Sequence, residues 1–228
     1  MPRNYEAIVE RYVERIVDGD LAPGDRLPRE QDLALEFGLS RGVAREAIRA
    51  LQERGLVRVT HGRGQFVSDR EDWRVLDPDV LRAMLTAADA RDLLKELLEC
   101  RLVCEVDAAG LAARRANAQD RQRLGERFNA LVRREAGERP AATAAAHAAE
   151  RAFHEAILIA AHNRPLAQMV RPVLAALEQA GAQLPPRAAS IDERRKILFA
   201  IIEHDAVGAS AAMASHLRAV QRSLRRAA

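Results

Sequence analysis

Three arginines recur at four-residue intervals near the start of the chain: Arg41, Arg45 and Arg49. In a helix, residues four apart lie on one face, so this spacing predicts a row of three guanidinium groups. Guanidinium groups pair with guanine edges in a major groove, and they also hold phosphates. The row therefore predicts contact with nucleic acid, whereas a solvated charged face is the alternative if the spacing is considered alone.

A second basic position lies at a predicted turn, where Arg63 stands between Gly62 and Gly64 and follows His61. Glycines let the backbone of such a tip come close to DNA, while the arginine enters a minor groove or contacts a phosphate. Ser40, just before the arginine row, is a favoured N-cap, and the helix N-terminus behind it can accept a phosphate. These residues extend the predicted DNA-facing set.

The elements that would position these residues follow from hydrophobic periodicity. Apolar residues at a 3.6-residue period predict three helices, and the last two, over 29–37 and 41–54, are separated by Gly38. Two strand-like runs, at 56–60 and 65–68, follow and flank the turn. This order is typical of a winged helix-turn-helix. It places the arginine row, the serine cap and the turn at the positions where that fold contacts DNA.

The charge distribution supports this interpretation. The whole chain has a formal net charge of +3. Residues 1–40 hold five arginines against nine acidic residues, whereas residues 41–68 hold six arginines against two. A compact basic segment inside a nearly neutral chain is typical of an electrostatic footprint for nucleic acid.

The rest of the chain predicts helices. Only 4% of the residues are aromatic, and few strand-forming residues occur after residue 68. We expect a mostly α protein, with a winged helix-turn-helix over 1–68, a linker over 69–76, and an all-α bundle of six or seven helices over 77–228. A proline-containing loop is predicted at 183–189.

The sequence also bears on location and redox state. No apolar run approaches the roughly 20 residues of a membrane span, and the acidic amphipathic start is unlike a signal peptide. We therefore expect a cytoplasmic protein. Its two cysteines, Cys100 and Cys104, lie in an apolar helical run and are predicted to be reduced core thiols.

The runs LAPGDRLP, QDLALEFGLSR, VAREAIRALQERGLV and HGRGQFV resemble the N-terminal domain of the GntR family of bacterial regulators. The resemblance covers about residues 5–68. It implies DNA contacts by Arg41, Arg45, Arg49, His61, Gly62 and Arg63. Two positions depart from the family pattern. Gln31 replaces an arginine that usually contacts DNA, and Arg29 replaces a small hydroxyl residue that usually caps the second helix, at a cost of about 1 kcal/mol.

The C-terminal part resembles FCD, the all-α effector domain of the FadR subgroup. The matching pieces are Arg101-x-x-x-Glu105, Glu150-x-x-Phe153-His154, Ala161-His162-Asn163 and Met213-x-x-His216. In that domain an aspartate and three histidines hold a divalent metal, and a nearby arginine takes the carboxylate of a small organic acid. The resemblance implies the following effector-binding residues: Arg101, Glu150, His154, Asn163, Arg194 and His216.

Two of these positions depart from the metal-binding pattern. Glu150 replaces the aspartate, and Arg194 replaces one histidine. An arginine cannot ligate a metal, and its charge opposes one. Three candidate ligands for a zinc- or nickel-type ion remain: Glu150, His154 and His216. A water could complete such a site. In the competing hypothesis, Arg194 replaces the metal electrostatically and binds an anionic ligand together with Arg101. Pairing of Arg101 with Glu105 on the same helix is the purely structural alternative.

The run GRGQFVSDREDWRVLDPDVLRAML resembles FCD regulators that respond to sugar acids such as galactonate. A hydrophobic contact between the domains is the alternative role for Trp73. The family resemblance implies a homodimeric regulator, most often a repressor, that binds double-stranded DNA at a palindromic operator and responds to a small carboxylate effector.

The sequence disfavours two other classes of protein. An acyl-CoA-responsive regulator is disfavoured because the predicted effector set is too polar for an acyl chain. A metal-dependent enzyme in the helical domain is disfavoured because no paired nucleophile and base and no glycine-rich phosphate loop appear.

Overall fold

The structure, a computed structural model, describes residues 5–87, 90–135, 144–179 and 190–226. The chain divides into two compact units, Met1–Ala90 and Arg91–Ala228. The loop predicted at 183–189 lies outside the described residues. Within the described residues, no helix is both long and apolar enough to cross a membrane.

The first unit begins with three helices and a β-hairpin. The elements are α1 (Glu6–Val17), α2 (Glu30–Glu36), α3 (Arg41–Glu53), β1 (Val57–Thr60) and β2 (Gly64–Val67). The strands are antiparallel, with Val57 opposite Val67 and Thr60 opposite Gly64. The predicted winged helix-turn-helix is confirmed, and the predicted helix and strand boundaries agree with it to within about one residue.

The core of this unit is made by one face of each helix together with the base of the hairpin. Tyr12, Leu33, Leu51 and Leu56 are fully buried in it. Gly55 ends α3 in a left-handed conformation with φ +74°. A Cβ there would lie 2.0 Å from the backbone oxygen of Asp72, so this close approach requires glycine.

A further helix, α4 (Pro78–Thr86), also belongs to this unit. It packs against α1 because Val80 and Ala83 enter the same core. Arg54, at the end of α3, donates to Asp79 at 2.5 Å and so joins the two helices. The sequence-based division assigned this helix to the C-terminal domain, whereas its apolar contacts place it in the first unit.

Trp73 also lies in the core of the first unit, where it is 7% exposed. Its ring Nε1 donates a hydrogen bond to the Ser68 carbonyl at 3.3 Å. The alternative of a contact between domains is therefore replaced by a role inside this unit, because the ring and its polar atom both have partners there.

The second unit is entirely helical in its described part. Its helices are α5 (Ala90–Arg115), α6 (Ala118–Glu135), α7 (Ala144–Ala160), α8 (Arg164–Gln179), α9 (Ile191–Ile202) and α10 (Ala206–Arg226). The predicted all-α bundle is confirmed. Phe153, Ile157, Ile197 and Met213 are fully or almost fully buried in one continuous core.

Small residues let α5 and α10 approach closely. The Ser210 hydroxyl donates to the Val106 carbonyl at 3.0 Å, and a Cβ on Gly110 would lie 2.6 Å from the Ser210 oxygen. Cys100 and Cys104, which precede these residues in α5, are free thiols. Burial and the neighbouring Cys100 raise the pKa of the Cys104 thiol, which favours its protonated form.

Candidate functional site

The predicted arginine row lies on an exposed face of α3. This helix starts after Ser40, whose Oγ accepts a hydrogen bond from the backbone N–H of Val43 at 3.3 Å. The hydroxyl hydrogen of Ser40 is left available to donate to a phosphate. The three arginines of the row are all exposed: Arg41, Arg45 and Arg49.

The end arginines of the row have neighbours on the protein surface. Arg49 pairs with Glu53 at 3.2 Å, but their side chains are 79% and 63% exposed, so this pair is weak and can open on contact with DNA. Arg41 donates from Nη2 to the side-chain oxygen of Gln31. The glutamine at the first departure from the family pattern thus holds an arginine of the row instead of extending the set of cations.

The hairpin tip presents its predicted residues to solvent. His61, Gly62 and Arg63 are exposed, and Gly62 adopts φ +73°. The backbone N–H of Arg63 donates to the Thr60 carbonyl at 2.9 Å, which closes the turn. The tip therefore offers a bare backbone and a basic side chain, as the sequence predicted.

The second departure lies at the start of α2. Arg29 occupies the N-cap position with φ −68° and ψ 156°, and its side chain makes no capping hydrogen bond. The backbone N–H of Arg29 donates to the Asp32 carboxylate at 3.2 Å, which is half of a capping box. The other half is missing because a guanidinium group has no acceptor.

In the second unit, Glu150, His154 and His216 meet inside the helical bundle. The Nε2 atoms of the two histidines are 3.2 Å apart. Glu150 Oε1 lies 3.2 Å from the His154 Nε2 and 3.4 Å from the His216 Nε2. Both histidines are fully buried, and helices α7 and α10 bring the three polar groups together inside the bundle.

Two ion pairs flank this trio, and each contains an arginine of the predicted effector set. Arg101 donates from Nε and Nη2 to Glu105 on its own helix, and both side chains are almost fully buried. Arg194 donates from Nε to Glu150 Oε2 at 2.7 Å. The structure therefore brings together five of the six predicted effector-binding residues and pairs each arginine with a carboxylate.

Glu105 connects the first ion pair to the trio, and it was absent from the predicted site. Its Oε2 accepts a hydrogen bond from His154 Nδ1. The four-residue spacing of Arg101 and Glu105 placed both on one helix face. The contact of Glu105 with His154, 49 residues away, could not be predicted from local spacing. Glu193 is a second addition, with Oε2 3.9 Å from His216 Nδ1.

The sixth residue has a different role. The side-chain oxygen of Asn163 accepts from the backbone N–H of Leu166 at 3.3 Å at the start of α8. This is an N-cap interaction. Asn163 does not take part in the contacts that join the cluster.

Neighbouring positive charges keep the two carboxyl groups of the cluster ionised. Burial alone would raise the pKa of Glu105, but the Arg101 guanidinium and His154 together lower it to about 2. Burial likewise opposes the low pKa of Glu150, and the Arg194 guanidinium holds that pKa well below its usual range. Both carboxyls are therefore ionised at neutral pH.

The two histidines are driven in opposite directions. Burial disfavours the charged form of His154, but the Glu105 carboxylate outweighs it and raises the His154 pKa. Burial lowers the pKa of His216, so that ring stays neutral. A neutral imidazole is the form that ligates metals.

The trio fits three positions of a four-coordinate metal ion. Ligand atoms at about 2.0–2.1 Å from a tetrahedral ion lie roughly 3.3 Å apart. The three separations here are 3.2, 3.2 and 3.4 Å. The hydrogen bond from His154 to Glu105 supplies the outer support that metal-bound histidines usually have. Arg194 opposes an ion because it adds a fixed positive charge on the other oxygen of Glu150.

Solved structures resemble the whole chain in fold. One, described by the words "Lar controls the expression of the Listeria monocytogenes agr system and mediates virulence", has a TM-score of 0.61 at 19% identity and covers 99% of this chain and 98% of its own. Another, "Streptococcus agalactiae GntR", has a TM-score of 0.52 at 23% identity over 96% of this chain and 99% of its own. At these identities the likeness supports the fold.

Two curated proteins are more similar in sequence. The HTH-type transcriptional regulator LutR of Bacillus subtilis (strain 168) is 30% identical over 90% of this chain and 94% of its own length. The galactonate operon transcriptional repressor of Escherichia coli (strain K12) is 30% identical over 77% of this chain and 74% of its own length. Both relatives are transcriptional regulators.

Two family models match the two units. The model of "Bacterial regulatory proteins, gntR family" matches residues 4–67, and the FCD domain model matches residues 96–219, more than half of the chain. They confirm both resemblances found in the sequence. The chain therefore belongs to the GntR family of bacterial regulatory proteins, carries a C-terminal FCD domain, and is a ligand-responsive, DNA-binding transcriptional regulator.

Proposed function

We propose that this regulator is a homodimeric repressor whose effector is a small organic acid of the sugar-acid class. The observation that carries the proposal is the buried polar cluster, which places two guanidinium groups and two imidazoles inside an apolar helical bundle. Buried ion pairs are costly to maintain and often less stable than apolar packing, which favours a role in binding.

The effector would bind through its carboxylate to the cationic side of this cluster. Arg101 and Arg194 each use some donors on a carboxylate of the protein. A guanidinium has five N–H donors, so Arg101, which uses two of them on Glu105, retains donors for a ligand. Because the arginine fork matches a carboxylate in geometry and charge, an acid is the favoured ligand class. The similarity to a galactonate operon repressor supports a sugar acid within that class.

A divalent metal, if bound, would be held by Glu150, His154 and His216. It would supply a further positive charge to attract the effector's carboxylate and hydroxyl groups. Arg101 then contributes orientation of that carboxylate, while Glu105 keeps the His154 ring in place through its hydrogen bond to Nδ1.

At the other end of the chain, we propose that Arg45 and Arg49 read bases or hold phosphates in the major groove, with Ser40 and Arg41 beside them. His61, Gly62 and Arg63 would contact the adjacent minor groove or backbone. A twofold dimer imposes a palindromic operator, and we place the protein in the cytoplasm with the DNA that it binds.

Control would operate by linkage between the two binding events. The effector lowers DNA affinity only to the extent that it binds better to the dimer arrangement that is unfavourable for the operator. The cluster offers no paired nucleophile and base among its named residues, so we propose binding of the effector without turnover.

The proposal is tested in two steps. An operator is first selected from randomised duplexes, and its affinity is then measured for the wild-type protein and for the Arg45→Ala and Arg49→Ala variants. We expect each substitution to weaken operator binding by about tenfold or more, because a good base contact contributes about 1–3 kcal/mol. Undiminished affinity in both variants would refute the major-groove assignment.

The effector is then sought by thermal shift with sugar acids, dicarboxylates and acyl-CoAs, each with and without zinc. We expect a sugar acid to raise the Tm and to release the selected operator, and the Arg101→Gln variant to lose both responses. Stabilisation by acyl-CoA alone would favour the acyl-CoA-responsive alternative, and turnover of a sugar acid would show that the helical domain is an enzyme.

A further inference from the structure

We propose that Arg26 and Arg29 bind the phosphate backbone of DNA, in a groove between the start of α2 and the β1–β2 hairpin. This proposal rests on the proposed DNA contacts of α3 and the hairpin, and it adds two residues outside that set. It also assigns a function to the unusual arginine at the N-cap of α2.

The groove is formed by three segments of the first unit. The chain from Arg26 to Gln31 forms one wall, Arg41 at the start of α3 forms the end, and the hairpin residues 59–65 form the other wall. Its volume is about 450 Å³. It therefore lies between the two elements that are proposed to contact the major groove and the minor groove.

The lining of this groove is strongly cationic. Four arginines line it, against one carboxylate, that of Glu30. They are Arg26, Arg29, Arg41 and Arg63. An excess of positive charge in a concave surface concentrates the field and attracts an anionic backbone.

Backbone contacts hold Arg26 against the β1–β2 hairpin. It forms an isolated antiparallel bridge with Phe66, so the chain at Arg26 lies directly beside β2. Its guanidinium lies on the backbone of Gly64, since a Cβ there would be 3.1 Å from Arg26 Nε and 3.2 Å from Nη2. Gly64, at φ +115°, thus permits both the turn and the placement of this cation.

Arg29 gives up a stabilising interaction at its position. A serine, threonine or aspartate at this N-cap would satisfy a backbone N–H of α2 and stabilise the helix by about 1 kcal/mol. Residues that break a local rule of this kind are often functional. Here the exchange puts a cation on the groove wall at the expense of the cap.

Neither arginine has an ion-pair partner within the described residues, unlike Arg54 and Arg82 of the same unit. Arg54 pairs with Asp79 at 2.5 Å, and Arg82 pairs with Glu10 at 3.3 Å. Arg26 and Arg29 are both exposed. Their guanidinium groups are therefore not held in an ion pair and are available to an external phosphate.

The test uses the salt dependence of DNA binding, which counts phosphate contacts. Each contact contributes about 0.9 to the slope of log affinity against log salt for duplex DNA. Binding of the full chain to a mixed-sequence 30-base-pair duplex is measured by fluorescence anisotropy at 50–200 mM KCl. The variants are Arg26→Ala, Arg29→Ser and the double variant, with Arg82→Ala as the matched control.

We expect each single substitution to reduce the slope by about 0.9 per bound subunit, and the double variant by about twice that. Over a fourfold salt range this makes the fall in affinity about 3.5-fold smaller per contact removed. The control should keep the wild-type slope. Arg29→Ser should also raise the Tm, because it restores a helix cap, so loss of folding cannot explain its lower slope.

Wild-type slopes in both single variants, with Arg45→Ala and Arg49→Ala still weakening binding, would overturn this inference and leave the proposed function intact. If the wild-type protein itself binds duplex DNA without salt dependence, the proposed DNA contacts fail together with it. A slope reduced equally by Arg82→Ala would also overturn the inference, because the effect would then reflect net charge alone.

Discussion

At the scale of residues, the buried cluster is organised by pairs of opposite charge. Glu105 pairs with Arg101 and His154, while Glu150 pairs with Arg194 and both imidazoles. Because each carboxylate has a guanidinium partner, the site is close to charge balance without a metal ion. Arg194 is thus the residue that decides how strongly a divalent ion binds.

This assignment predicts the behaviour of an Arg194→His variant. The Nε of arginine and the Nε2 of histidine lie at a similar distance from Cα, so the new ring can reach the place beside Glu150 that Arg194 Nε now occupies. We expect zinc affinity to rise by at least about tenfold, because a fixed charge is removed and a fourth ligand is added. Zinc content and competition with a chromophoric chelator measure this affinity.

Arg195→His is the matched control, since Arg195 is the next residue of α9 and pairs with Asp192 away from the trio. It should leave zinc affinity unchanged. If Arg194→His binds zinc no better than the wild-type protein, the place of Arg194 beside the metal ligands is wrong.

At the scale of elements, helix spacing in the second unit depends on where small residues lie. Gly110 of α5 faces Ser210 and the Ala206 carbonyl of α10, whereas a Cβ on Gly125 of α6 would meet no atom within 4 Å. The two glycines are both helical, but only the first is required by a close helix contact.

Alanine substitutions at these two glycines should therefore act in opposite directions. Gly125→Ala should raise the free energy of unfolding by about 0.5–1 kcal/mol, the usual preference for alanine in a helix. Gly110→Ala should lower it by about 1–3 kcal/mol, because α10 must shift and Ser210 must give up its hydrogen bond to Val106. Urea unfolding of the full chain, followed by circular dichroism, measures both; stabilisation by both substitutions would contradict the close packing of α5 on α10.

Local patterns predicted most of the elements and part of the site. Helix caps, the glycine turns and the hydrophobic period act within a few residues, so α1 to α3 and the hairpin could be read directly from the sequence. The arginine row could be predicted for the same reason. The placement of α4 could not, because it depends on whether Val80 and Ala83 find an apolar partner on α1 or elsewhere.

At the scale of the whole molecule, regulation requires that effector and operator bind in a coupled manner. The two compact units carry the two proposed sites separately. Coupling between sites is reciprocal: if the effector weakens operator binding by a given factor, the operator weakens effector binding by the same factor. This requirement is independent of the structural route that connects the units.

We therefore predict equal coupling factors, of about 5- to 150-fold, in the two directions. Operator affinity is measured by anisotropy with and without the stabilising acid, and acid affinity by calorimetry with and without operator duplex. Ultracentrifugation of the same samples should give two 25.2 kDa chains per duplex. Unequal factors at a constant oligomeric state would exclude simple linkage, and a monomer on the operator would refute the proposed dimer.

The sequence by itself determined the family of the protein through its motifs. It also determined the winged helix-turn-helix, the exposed arginine row and the helical nature of the FCD domain, because these follow from spacing over a few residues. Only the tertiary structure decided which charged groups share the buried site. Glu105 meets His154 across 49 residues, and Arg194 meets Glu150 across 44. Such pairings depend on how whole helices pack. Helix packing is set by apolar faces and small residues, and these do not indicate which polar residues of neighbouring helices will meet.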